Sequence, residues 1–155
     1  INTRLQGGDF IDNTASVLGR LITPTFGALR LAGELRGTTL FDDTQNRFLT
    51  LGGDNGLRGF GINEFEGARR AVLQLELRSA PFELAFLRWG LVGFYDAGAI
   101  APTVGQMSLH HNVGAGLRTL IPQLSSQLFR IDLAFPLDDP RDFAYRVVAG
   151  FQSEF

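Results

Sequence analysis

Arg70-Ala71-Val72-Leu73-Gln74-Leu75-Glu76-Leu77-Arg78 alternates between two kinds of side chain. Ala71, Leu73, Leu75 and Leu77 fall on one side, and Arg70, Gln74, Glu76 and Arg78 on the other. A period of two predicts a strand with one apolar and one polar face, since helical neighbours would recur every three to four residues. The pattern repeats outward in both directions. It is clear over residues 27–37, 87–98, 112–121, 129–135 and 143–155, and less regular over 1–6 and 16–23, where Leu18 and Ile22 blur the polar side. Eight strands result, an even number.

The 155 residues suffice for one domain, 1–155, with a core of its own. Net charge is -2, and all 14 basic residues are Arg, so a nucleic-acid surface is not expected. The absence of Cys excludes disulfides, a thiol nucleophile and cysteine-bound metal. No uncharged apolar run is long enough for a transmembrane helix. A transmembrane barrel leaves a weaker signal, of alternating segments only. The first residue is Ile1, with neither Met nor a basic and apolar leader, and this reads as a processed chain or a fragment.

The connections also carry information. Short ones are expected near residues 24–26, 80–83 and 122–126, and longer ones over 8–14, 38–69, 100–111 and 137–142. Short turns at one end and long loops at the other describe an antiparallel meander of the outer-membrane type. The apolar face is wide and aromatic. The polar face is rich in Gly and carries Arg interspersed with acids. By this phasing Arg20, Arg30, Arg36, Arg70, Arg78, Arg88, Arg118, Arg130 and Arg146 face inward with Glu34, Glu76, Asp96, Asp132 and Glu154. Most remaining acids fall in the long loops. The expected fold is therefore an all-β antiparallel transmembrane barrel of about eight strands, with short periplasmic turns and long extracellular loops. A water-soluble β-sandwich acting as a binding module is the competing arrangement.

The 38–69 loop is too long for an ordinary hairpin. Its middle reads Leu51-Gly52-Gly53-Asp54-Asn55-Gly56-Leu57-Arg58-Gly59-Phe60. Glycines on both sides of Leu57-Arg58 permit a compact turn that projects one Arg. The segment lacks the Gly-Lys-Ser/Thr ending of a phosphate loop. From about Gly27 to Phe155 the chain resembles the C-terminal barrel region of the outer-membrane protein-assembly and protein-translocation superfamily. This is the BamA/TamA group, also called the bacterial surface antigen family. The resemblance rests on five ordered elements. They are Gly52-Gly53 with Leu57-Arg58-Gly59-Phe60, Leu75-Glu76-Leu77-Arg78, Phe94 to Gly98, Gly114 to Arg118, and a strand closing on Pro136-Leu137 before a C-terminal Phe.

The resemblance implies that the loop folds inward and that Arg58 meets an acidic pair, Glu76 and Asp96, with Gly59 and Phe60 completing the lock. It implies that Phe151 and Phe155 form an aromatic tail read by the assembly machinery. Family members have sixteen strands, so eight would be half a barrel. The function implied is that of a protein-insertion or translocation pore, in truncated or short form. A structural barrel or narrow passive pore without clients is the alternative. Implied partners are membrane lipid and lipopolysaccharide, unfolded outer-membrane or secreted clients, and a second copy of the chain, in the bacterial outer membrane. His110-His111 does not make a metal site, and Asp42-Asp43 and Asp138-Asp139 read as solvated loop charge. With no Gly-x-Ser-x-Gly elbow, neither a cofactor nor an enzyme activity is expected.

Overall fold

The computed structural model describes residues 2–6, 9–41, 44–84, 87–101, 106–120, 127–138 and 145–153. These residues form strands and connections, without an α-helix. Eight strands follow one another in a single antiparallel meander: β1 (Asn2–Gln6), β2 (Asp9–Ile22), β3 (Leu29–Phe41), β6 (Arg69–Ser79), β8 (Leu87–Ala101), β9 (Ser108–Leu120), β10 (Gln127–Pro136) and β11 (Arg146–Ser153). The short β7 (Phe82–Leu84) pairs with the start of β8 and resumes the edge that β6 leaves. The break falls at Ala80-Pro81, where Pro has no N–H to give the ladder. β4 (Leu49–Leu51) and β5 (Phe65–Gly67) pair separately as a small second sheet. Among the described residues β1 and β11 have a neighbour on one side only, so the sheet is open.

Several boundaries differ from the expectation. Residues 9–14 belong to β2, which pairs back on β1 through Gln6↔Asp9, so they do not form a long first connection. The register slips between Asn2 and Arg4, opposite a β2 segment in which Asp12 takes a left-handed φ of 56°. One extra residue in a strand produces such a bulge. The Asp12 carboxylate uses it to accept bonds from Thr44 N, Thr44 Oγ1 and Gln45 Nε2, each at 2.9 Å. β3 runs on to Phe41, with Thr38↔Arg70 and Thr39↔Arg69 still paired, so the long loop is 42–68. That loop contains β4 and β5 and is not irregular throughout. β8 and β9 likewise extend to Ala101 and from Ser108, which shortens the 100–111 connection. Loop length thus alternates less cleanly than the sequence suggests, because polar loop-like residues continue the ladders past the apolar pattern.

Register places the two faces. Arg20↔Glu34↔Gln74↔Asp96↔Asn112 runs across five strands on one side. The other side carries Leu21, Leu35, Leu73, Ala97 and His111 at neighbouring positions. Loop residues cover the first side, the inner face. There Leu51, Leu57 and Phe60 from the loop bury themselves with Val72 and Ile100 from β6 and β8, flanked by Leu49 and Phe65. The opposite, outer face is apolar and uncovered: Val17, Leu21, Leu35, Leu77, Leu91, Ile131, Leu133, Val147 and Phe151 all stand exposed. A sheet that buries charge inside and exposes aliphatic side chains outside reverses the usual arrangement of a water-soluble protein.

Candidate functional site

The site begins with the loop's own chemistry. Gly56 holds a φ of +117°, which a side chain rarely adopts. A Cβ there would also meet the Val72 methyls at 2.9–3.0 Å. The turn therefore lies close on the sheet and sends Leu57 and Arg58 downward, with Leu57 wholly buried and Arg58 2% exposed. β4 is anchored beside it, because Arg70 Nη1 donates to Thr50 O at 2.7 Å and Asn55 Oδ1 at 2.8 Å.

Arg58 meets carboxylates from three strands. Its Nε and Nη2 donate to Asp96 Oδ2 and Oδ1 at 2.9 and 2.7 Å, a two-pronged fork. Nη1 donates to Glu76 Oε1 at 2.7 Å and to Asp132 Oδ2 at 3.3 Å. The Arg58 backbone N also points at Asp96 Oδ2, at 3.3 Å. Its guanidinium carbon lies 3.6 Å above the centre of the Phe94 ring, a stacking geometry that suits a planar cation. Burial disfavours the Arg58 charge. The hydrogen bonds and charge of Asp96, followed by the charges of Glu76 and Asp132, outweigh it and push the guanidinium pKa above its usual value.

The acids have further partners. Arg118 pairs with Asp132 through both nitrogens. Arg78 Nε donates to Glu76 Oε2 at 2.8 Å, and Asn112 Nδ2 to Asp96 Oδ2 at 3.0 Å. Three guanidiniums and three carboxylates thus balance in one network. That balance is what makes burial of so much charge tolerable.

Sequence reading had paired Arg58 with Glu76 and Asp96 only. Asp132, 74 positions away, lies in the same cluster and is wholly buried. Phe94 and Asn112 were also missed as members. Of the other inward charges, Glu34 bonds Arg20 at 2.8 Å and Arg36 more closely still, while Arg130 reaches up to Asp54 in the loop. Asp54 is one of the loop acids, and the path of the loop brings it to Arg130 while leaving it largely exposed. Arg30 touches no partner among the described residues, and Arg146 stands apart at the exposed start of β11. Phe60 joins the apolar cluster. Phe151 is exposed on the outer face with its ring 5.3 Å from that of Phe129, and Phe155 lies outside the described residues.

A second clasp was not visible in the sequence. His110 stacks on Phe65 at 4.2 Å and meets Phe60 edge-on at 5.7 Å. Its Nδ1 lies 2.6 Å from Asp138 Oδ2 and its Nε2 3.0 Å from Ser108 Oγ. The His111 backbone N donates to Asp138 Oδ1 at 3.2 Å. Asp138, read as solvated charge, instead ties the β10–β11 connection to β9 and to the loop aromatics.

Gly59 decides how closely the loop can approach. A Cβ there would sit 2.7 Å from Asn112 Cβ and 3.2 Å from Pro136 N. Gly59→Ala is expected to cost about 1–3 kcal/mol, seen as a lower denaturant midpoint for the detergent-solubilised chain. A midpoint equal to wild type would show that the loop does not press on β9 and β10.

Comparison with protein-family models, curated proteins and solved structures gives no match. The chemistry of the site therefore rests on its residues. It can hold a long loop rigidly across the inner face of a sheet.

Proposed function

We propose that this chain forms the wall of a transmembrane β-barrel related to the outer-membrane protein-insertion and translocation pores, with loop 42–68 locked across its lumen face. The observation that carries the reading is the Arg58 cluster buried on one face while the same strands expose an apolar surface on the other. In lipid, outward aliphatic side chains are solvated and every backbone group must be paired by neighbouring strands. Aromatic side chains near strand ends fit interfacial girdles: Phe41, Phe135 and Tyr145 toward the loop end, and Phe82 opposite Trp89 toward the turn end.

An eight-stranded barrel has an interior filled by its own side chains. Loop 42–68 occupies that space, so the sheet is read as part of a larger ring, of sixteen strands by resemblance. β1 and β11 run antiparallel to each other and would take their missing neighbours from further strands or from a second copy. A soluble sandwich is disfavoured because the second sheet, β4–β5, has two three-residue strands and lies on the inner face.

Trp89 is the chain's single Trp and lies at an outer-face position opposite Phe82. In phospholipid vesicles its fluorescence is expected to be quenched by bromines on the acyl chains, most strongly by those near the headgroups. Emission unchanged by any brominated lipid would refute the membrane reading. In the same vesicles, an unfolded client barrel inserted no faster than into empty ones would leave a structural barrel and remove the insertase.

A further inference from the structure

Toward the turn end of the inner face, below the loop, the strands leave a half-open cleft of about 180 Å³. That is far more than the ~10–15 Å³ that one water needs on the same measure. Arg20, Arg30, Arg58, Arg78 and Arg130 line it together with the carboxylates Glu34 and Glu76, and Ile22 and Ala32 add apolar surface. Arg30 and Arg78 are direct partners across β3 and β6. Like charges directly opposite each other destabilise a sheet.

The neighbouring acids do not relieve this. Glu34 is shared between Arg20 and Arg36. Glu76 is shared between Arg78 and Arg58. Arg130 is engaged by Asp54. Arg30 has no described partner, so the cleft holds one wholly unbalanced guanidinium and others that share their carboxylates. Arg118 and Arg130 also face each other across β9 and β10, but there Asp132 and Asp54 engage them. Among the described residues Arg30 is the one lining guanidinium without a carboxylate; it lies beside a space large enough for a ligand, and with Arg78 it presents planar forks suited to tetrahedral oxyanions.

We propose that Arg30 and Arg78 form a binding site for a divalent oxyanion of the phosphate class, carried either by free phosphate or by a lipid headgroup. The anion bridges the two opposed guanidiniums and removes their mutual repulsion. The site does not depend on the sheet lying in a membrane.

The test uses the full chain in a neutral detergent at low salt. Inorganic phosphate is expected to raise the thermal midpoint progressively, while chloride at matched ionic strength gives little change, since screening alone is non-specific. Arg30→Ala removes a side chain with no described partner, so the variant is expected to fold. Without phosphate its midpoint should equal or exceed wild type, because one of two facing charges is gone, and its apparent phosphate affinity should fall about tenfold or more. Arg30→Lys should retain part of the response. Dihexanoyl phosphatidic acid and dihexanoyl phosphatidylcholine, below their micellar concentrations, form the second arm. A response to the phosphatidic acid at lower concentration than to phosphate identifies a lipid headgroup, and equal responses identify free phosphate. A response as large with chloride, an undiminished response in Arg30→Ala, or no response to either phosphate source overturns the proposal.

Discussion

Replacing Arg58 by alanine is expected to lower the unfolding free energy by about 3–5 kcal/mol, the usual result of removing one partner from a buried ion pair. Most of that loss comes from what remains. Asp96 is wholly buried and would keep only Asn112 Nδ2 and weaker contacts as donors. Asp132 retains Arg118, and Glu76 retains Arg78, so the damage concentrates on Asp96. Loop 42–68 should also leave the inner face, exposing Phe60 and Phe65 to chymotrypsin under native conditions. Phe48 is already exposed in the wild type and serves as an internal reference. Arg58→Lys separates charge from geometry. An ammonium can satisfy one or two acids but cannot make the fork to Asp96 while reaching Glu76 and lying flat over Phe94. It should fall between wild type and alanine in both midpoint and protease protection. If lysine matches wild type, net charge alone holds the loop. If alanine leaves both the midpoint and the cleavage rate unchanged, the cluster does not fasten it.

Leu57→Ala is expected to cost about 2–5 kcal/mol by a different route. Leu57 is wholly buried in the cluster with Leu51, Phe60, Val72 and Ile100, and truncation leaves a cavity against rigid strands. The ionic network is untouched, so the loop should stay docked at room temperature while the denaturant midpoint falls. A loss under about 1 kcal/mol would mean that the loop relaxes into the space. Because Leu57 and Arg58 are adjacent, the double variant should not be additive. Once Arg58→Ala releases the loop, the Leu57 truncation has less left to lose.

The strands and their two faces were legible because alternation is a local property. Leu73 and Gln74 point to opposite sides of β6 whatever else the chain does. The loop arginine and two of its acids were legible only through resemblance, since nothing local in Leu57-Arg58-Gly59 says where the guanidinium lands. Loop boundaries were less legible. Thr38, Thr39 and residues 9–14 read as polar connections, yet they extend ladders whose hydrogen bonds belong to the backbone and are indifferent to side-chain polarity.

By itself, then, the sequence determined which segments form strands, which side of each is apolar, and that one Gly-rich loop carries Arg58 with glycines on both sides of Leu57-Arg58. Only the tertiary structure decided the partners. Asp132 joins Arg58, Asp54 meets Arg130, Asp138 clasps His110, and Arg30 is left facing Arg78 without a bonded acid of its own among the described residues. The physical reason is that these contacts depend on strand register and loop path. Each strand supplies the direction of its side chains, but the identity of what faces them is set by residues up to 76 positions away.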